Sequence, residues 1–289
     1  METRSWMMLR VLINRYNPKA GNALMKFLPE DELAAISKID IRSDDLQPIL
    51  QHPQSSLGRI HHTWIKPLLE KFPDRLQPAL LAALTPEQTA GMKGTVEMTL
   101  SKPAKSFLLN QLFNNLKINE HIPLEYLPEH ELLPLIKWNK QQLVDLIDFL
   151  GLYDLASEVR QIVNSDHLKS IYSCLSPKQF QYLKICMHQK EQIVSSKLGI
   201  DPGKPDCSKL KKAMHRHGLS RLGKAFCGLH EDFVWTIAHT LDMGRGSILL
   251  KEYQPDALPK ITQILKQQVL NVMNFLEGQQ QNPQKASKL

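Results

Sequence analysis

Apolar residues along this chain recur every three to four positions far more often than they alternate, and that period predicts helices. Asn139 stands where it can cap a helix whose apolar positions Leu143, Leu146, Ile147 and Leu150 form one stripe. Gly151 is then placed as the left-handed residue that ends it, with Leu152 as the accompanying hydrophobic contact. Ser101 opens another helix, with Pro103 in its first turn and Leu108, Leu109, Leu112 and Leu116 on its buried side. Towards the end of the chain Leu258, Ile261, Leu265, Val269, Val272 and Leu276 share a face. Gly278 closes that helix, and the polar stretch from Gln279 is expected to fray. Alternation over strand length is almost absent. The pattern predicts an all-α protein.

A faint echo runs through the chain. Leu28-Pro29-Glu30-Asp31-Glu32-Leu33 resembles Leu127-Pro128-Glu129-His130-Glu131-Leu132, and Leu84-Thr85-Pro86-Glu87-Gln88 resembles Leu175-Ser176-Pro177-Lys178-Gln179. In the second pair Thr85 and Ser176 are N-caps, Pro86 and Pro177 first helical residues, and Gln88 and Gln179 the third residues that complete capping boxes. Such openings are common in helical proteins, so the echo has a plain reading in capping grammar. Read as a repeat, it divides the chain into helical modules at 1–122 and 123–277, joined near Asn119–Pro123, with a disordered tail at 278–289. The stacking expected is of the armadillo-like kind.

Composition narrows the picture. With 289 residues, 42% hydrophobic and 22% charged, the chain can build a sizeable core and is not a disordered or collagen-like polymer. Cys174, Cys186, Cys207 and Cys227 contain no C-x-x-C pair; they are too few for a disulfide scaffold and suit a reducing compartment. The longest apolar run, Ala79–Leu84, falls far short of the ~18 residues of a membrane span. Arg10 interrupts the apolar stretch Trp6–Leu9, so the start does not read as a signal peptide. A soluble cytosolic protein is expected.

Charge adds an asymmetry. Residues 1–160 carry 18 Lys and Arg against 19 Asp and Glu, whereas residues 161–289 carry 18 against 10. The excess concentrates in a run with Lys204, Lys209, Lys211, Lys212, Arg216, Arg221 and Lys224 against one acid, Asp206. On a helix starting near Ser208, Lys209, Lys212 and Arg216 stack over adjacent turns into a positive ridge, with Lys211 beside them. A solvated helix face is its commonest meaning; an acidic protein, anionic headgroups or nucleic acid are the functional ones. Base stacking lacks its usual aromatics here, Phe226 being the only one in reach. We expect Lys209, Lys211, Lys212, Arg216, Arg221, Lys224 and Arg245 to form an exposed partner-binding surface. A basic helical nucleic-acid-binding protein is the alternative.

Other chemistry is thin. Cys207, His215, His217, Cys227 and His230 are zinc-friendly side chains within 24 residues, but only Cys227-x-x-His230 and His215-x-His217 approach ligand-pair spacing. No metal is expected. Met243-Gly244-Arg245-Gly246-Ser247 lacks both the spacing and the preceding strand of a phosphate loop. Gly244 and Gly246 read instead as the end of the helix containing Phe233, Trp235, Ile237 and Leu241, with Arg245 exposed at its C-terminus. Asp44-Asp45 and Glu231-Asp232 read as loop or first-turn residues. No nucleophile elbow, zinc-protease motif, kinase set or dinucleotide fingerprint is present. We expect no enzyme, no cofactor and no small-molecule substrate.

Several stretches resemble components of type III secretion and flagellar switch systems. They are Ile60–Leu69 (IHHTWIKPLL) running on through Leu84–Gln88, Leu146–Ala156 (LIDFLGLYDLA), Leu175–Leu183, and Ile237–Gly246 (IAHTLDMGRG). Together they are similar to a chlamydial-type cytosolic secretion component, and more loosely to SctK-type sorting-platform adaptors and the helical modules of the flagellar motor switch protein FliG. No counterpart of FliG's charged torque helix is found, so torque generation is not carried over. The resemblance implies a helical scaffold in the bacterial cytoplasm, held at the inner membrane through protein partners. Those partners are an inner-membrane ring and a cytosolic platform or stator.

Overall fold

The computed structural model describes residues 3–16, 25–37, 57–92, 98–116, 121, 124, 127–189, 193, 197–199, 206–256 and 259–281. The expected joint at Asn119–Pro123 lies outside them apart from His121, as do Asp44-Asp45, Lys204, Leu258 and the tail beyond Gln281. The described residues are mostly helical and contain no strand, so the fold class is all-α. Two compact units divide the chain, Met1–Glu129 and His130–Leu289.

The first unit holds α1 (Thr3–Tyr16), α2 (Glu30–Ser37), α3 (His62–Leu69), α4 (Gln77–Ala83), α5 (Pro86–Gly91) and α6 (Lys102–Asn115). Ser101 caps α6, which buries Leu108, Leu109, Leu112 and Phe113. Thr85 and Gln88 form the capping box of α5. Gln88 also reaches beyond its own helix. Its side-chain amide, almost fully buried, donates to the Leu57 and Ile60 carbonyls at 2.7 and 2.8 Å. That closes the turn before α3, where buried carbonyls would otherwise lack donors.

The second unit holds a 3-10 helix (Leu133–Lys137), then α7 (Lys140–Val159), α8 (Ser165–Ser173), α9 (Pro177–His188), α10 (Cys207–Ala225), α11 (Glu231–Thr240), α12 (Met243–Glu252) and α13 (Pro259–Gln281). Ser176 and Gln179 form the same capping box on α9 that Thr85 and Gln88 form on α5. The other echoed stretch diverges. Glu30 starts an α-helix, whereas the segment after Leu127 turns into the 3-10 helix, with Pro134 in its first turn.

The centre of this unit is α7, packed against α9, α10 and α13. Asn139 and Gln142 cap it with both reciprocal hydrogen bonds at 2.9 Å. Its burial is not one stripe: Leu143, Leu146, Ile147, Phe149, Leu150, Leu152, Tyr153, Leu155, Ala156 and Val159 are all buried, as suits a helix with neighbours on several sides. Gly151 therefore does not end the helix. It sits in the middle, where a Cβ would stand 2.2 Å from the Met214 carbonyl oxygen of α10. Across the same crossing a Cβ on Gly218 would stand 1.9 Å from the Ile147 carbonyl oxygen. Two glycines let two backbones touch. Gly278 likewise lies inside its helix, which continues to Gln281.

Candidate functional site

α10 carries the basic run, and what surrounds it decides which charges are available. Asp206 caps its start, accepting from the Ser208 and Lys209 amides. One face buries Leu210, Met214, Gly218, Leu222 and Ala225 against α7 and its neighbours. Lys209, Lys211, Lys212, Arg216 and Lys224 are exposed. Arg221 is not: it is only 5% exposed, and Asp154 on α7 is 3% exposed. Arg221 grips that carboxylate through Nε at 2.9 Å and Nη2 at 2.6 Å, and gives Nη1 to Gln268 of α13 at 2.6 Å. His217 Nδ1 lies 3.3 Å from the same carboxylate. The expectation of an exposed Arg221 is thus overturned. Arg221 follows Leu210 and Met214 at helical spacing, on the buried face.

A second network ties α7, α10 and α12 together. His215 Nδ1 meets Asp148 at 2.6 Å, and Arg245 Nε donates to His215 Nε2 at 2.8 Å. With Nε2 accepting, the ring proton sits on Nδ1 and points at Asp148. Arg245 also pairs with Asp242, and Lys140 stands 3.9 Å from that same carboxylate. Burial pushes the Asp242 carboxyl up, but hydrogen bonds and charge from Arg245, with Lys140 behind, hold it below the ordinary value.

Arg245 is therefore placed differently from the sequence expectation. Asp242 caps α12, accepting from the Arg245 amide, and Gly244 and Gly246 lie in the first turns of that helix instead of ending the previous one. Leu241 closes α11 in an extended conformation without a glycine. Arg245 is half-buried and engaged, where an exposed cation was expected.

The zinc-friendly side chains disperse. His215 and His217 serve the two networks, Cys227 is buried with its thiol directed at the Gly223 and Glu252 carbonyls, and His230 caps α11. Among the described residues no group of three or more His, Cys, Asp or Glu is arranged to hold a metal. Cys207 is bonded to Cys174, with Cα atoms 5.1 Å apart, joining the end of α8 to the start of α10. The sequence reading, four cysteines too few for a disulfide scaffold and suited to a reducing compartment, did not anticipate this bond: a separation of 33 residues carries no spacing signal. Phe226 is fully buried and offers no stacking face.

Beside the basic run opens a cleft of about 960 Å³ between α10, α12 and α13. Among the described residues Lys197, Arg216, Arg221, Lys224 and Lys251 line it together with the carboxylates of Asp154 and Glu252. Asp154 is occupied by Arg221, and Glu252 lies 3.8 Å from Lys224. Ile193, Ile248, Ile261 and Leu265 form its apolar wall. Asp154, Asp148 and Gln268 are the site residues that motif reading missed, although Asp154 carries a visible signal: it continues the apolar stripe Leu143, Ile147, Leu150 by four residues. Among the described residues no helix is long and apolar enough to cross a membrane. No protein-family model, curated protein or solved structure matches the chain.

Proposed function

We propose that this chain is a non-enzymatic helical adaptor that docks an acidic protein surface through the basic face of α10. Following the resemblance of its helical segments, we place it in a bacterial type III secretion or flagellar switch-like assembly, between an inner-membrane ring and a cytosolic platform. It reaches the membrane through those partners. The observation that carries the docking role is the exposed set Lys209, Lys211, Lys212 and Arg216, which has no carboxylate within ion-pair distance among the described residues. Cations presented from a fixed helix raise association rate and set orientation, while apolar contacts supply most affinity. Two polar networks nearby are engaged internally: Arg221 with Asp154 and Gln268, and His215 with Asp148 and Arg245.

The test is co-purification from a bacterial lysate, with the captured proteins identified by mass. Wild type should bring down ring or stator components, and the Lys209→Glu/Lys212→Glu variant should lose them. Retention of the same components by the variant overturns the role of this face. Capture of nucleic acid instead, with a steep loss of affinity as salt rises, replaces the reading with a nucleic-acid-binding one.

A further inference from the structure

We propose that the cleft between α10, α12 and α13 seats an acidic amphipathic helix supplied by the partner protein, an inference that rests on the adaptor reading above. The cleft combines cations with exposed apolar side chains. Arg216 and Lys224 on α10 are eight residues apart, about 12 Å along the helix axis. Lys224 stands 3.8 Å from the Glu252 carboxylate, so Arg216 is the cation of the pair without a carboxylate within ion-pair distance among the described residues. Lys251 on α12 adds a further exposed cation to the rim. Ile248, three residues before Lys251 on α12, and Ile261 on α13 are 38% and 43% exposed, and Leu265 of α13 is buried.

Such spacing selects among anions. A single phosphate needs donors that converge on one point, whereas Arg216 and Lys224 stand more than two helical turns apart. Arg221, the guanidinium beneath the cleft, already gives its donors to Asp154 and Gln268. A nucleic acid would use aromatic faces for its bases, and among the described residues no Phe, Tyr or Trp lines the cleft. A helix with carboxylates at i, i+4 and i+8 spans the same ~12 Å as Arg216 and Lys224. Its opposite edge, if apolar, covers Ile248 and Ile261 and removes their exposed area from water. Charge complementarity and the exposed isoleucines together describe that one occupant.

The experiment uses the full-length protein and fluorescein-labelled peptides of about 18 residues, long enough for five helical turns. One peptide places Glu on one edge and Leu on the next; the other has identical composition with Leu dispersed. Anisotropy should show the amphipathic peptide binding about tenfold tighter than the scramble. Ile248→Ser/Ile261→Ser should erase that difference, while Lys251→Glu should weaken both peptides. These isoleucines are exposed, and an unchanged thermal midpoint verifies the fold. Equal binding of the two peptides, an unaltered preference in the isoleucine variant, or tighter binding of a single-stranded oligonucleotide overturns the proposal. The adaptor reading fails separately: it falls if Lys209→Glu/Lys212→Glu leaves co-purification intact, whatever the peptides do.

Discussion

Gly151→Ala sets helix propensity against sterics in a place where the two differ in sign. In a free helix the change is favourable by up to ~1 kcal/mol. Here the new methyl would stand 2.2 Å from the Met214 carbonyl oxygen and 2.7 Å from its carbonyl carbon, both backbone atoms that cannot swing away. Ordinary contact needs about 1.2 Å more, so α7 and α10 must move apart by roughly that distance. The 2.6 Å contacts of Asp148 with His215 and of Asp154 with Arg221 span the same pair of helices. A shift of about 1 Å carries both beyond good hydrogen-bonding geometry. Overpacking of this kind costs about 1–3 kcal/mol, and loosening a buried ion pair adds to it. The net expectation is a loss of about 2–4 kcal/mol, read as a lower urea midpoint by circular dichroism at unchanged slope. Gly278→Ala is the control, since nothing lies within 4 Å of its would-be Cβ and it should gain up to ~1 kcal/mol. If Gly151→Ala raises the midpoint as Gly278→Ala does, the close crossing of α7 and α10 is refuted.

Three further outcomes are expected. Arg221→Ala leaves the Asp154 carboxylate buried and unpaired and should cost about 3–5 kcal/mol, whereas Arg216→Ala should leave the thermal midpoint within about 1 °C; equal effects would place Arg221 on the surface. Reducing the Cys174–Cys207 bond should lower stability by about 3–4 kcal/mol on the loop-closure estimate for its 33-residue separation, and calorimetry with and without reductant measures this against a Cys174→Ser/Cys207→Ser variant that should no longer respond. His130, with burial first and Lys266 second, is held down to about 4, and both ring nitrogens lack a hydrogen-bond partner. The unfolded chain then takes up this proton first, so stability should fall as pH drops from ~6.5 towards 4. The full shift corresponds to about 3 kcal/mol and solvent contact reduces it to about 1–2 kcal/mol; a His130→Leu variant with the same acid profile as wild type would contradict it.

What could be read from the sequence divides by range. The caps at Ser101, Asn139, Thr85 and Ser176 are local chemistry, a side-chain oxygen meeting an amide two or three residues on, and each appears where the pattern put it. Gly151 was open to misreading because the same residue serves a left-handed helix end and a close helix crossing, and only the partner backbone of Met214 separates the two. Gly244 and Gly246 follow the same logic: Asp242 claims the turn for the start of α12. Arg221 looked like one more cation of a basic run. Its burial follows from an acid on another helix 67 residues away, Asp154, and a run of charges does not display that partner. The pairing of Cys174 with Cys207 depends on how the end of α8 meets the start of α10. None of these long-range pairings has a sequence period.

On the proposed function, the exposed cations of α10 steer an acidic protein partner. The most direct measurement is the stopped-flow association rate of the full chain with the ring or stator component recovered by co-purification, followed from low to high salt. For wild type the rate should fall steeply as salt screens the encounter. Lys209→Glu/Lys212→Glu should slow association at least tenfold at low salt and flatten that salt dependence, with its thermal midpoint within about 1 °C of wild type. An unchanged rate at every salt concentration would contradict the account. A large fall in the midpoint would contradict it too, by placing these lysines in internal ion pairs.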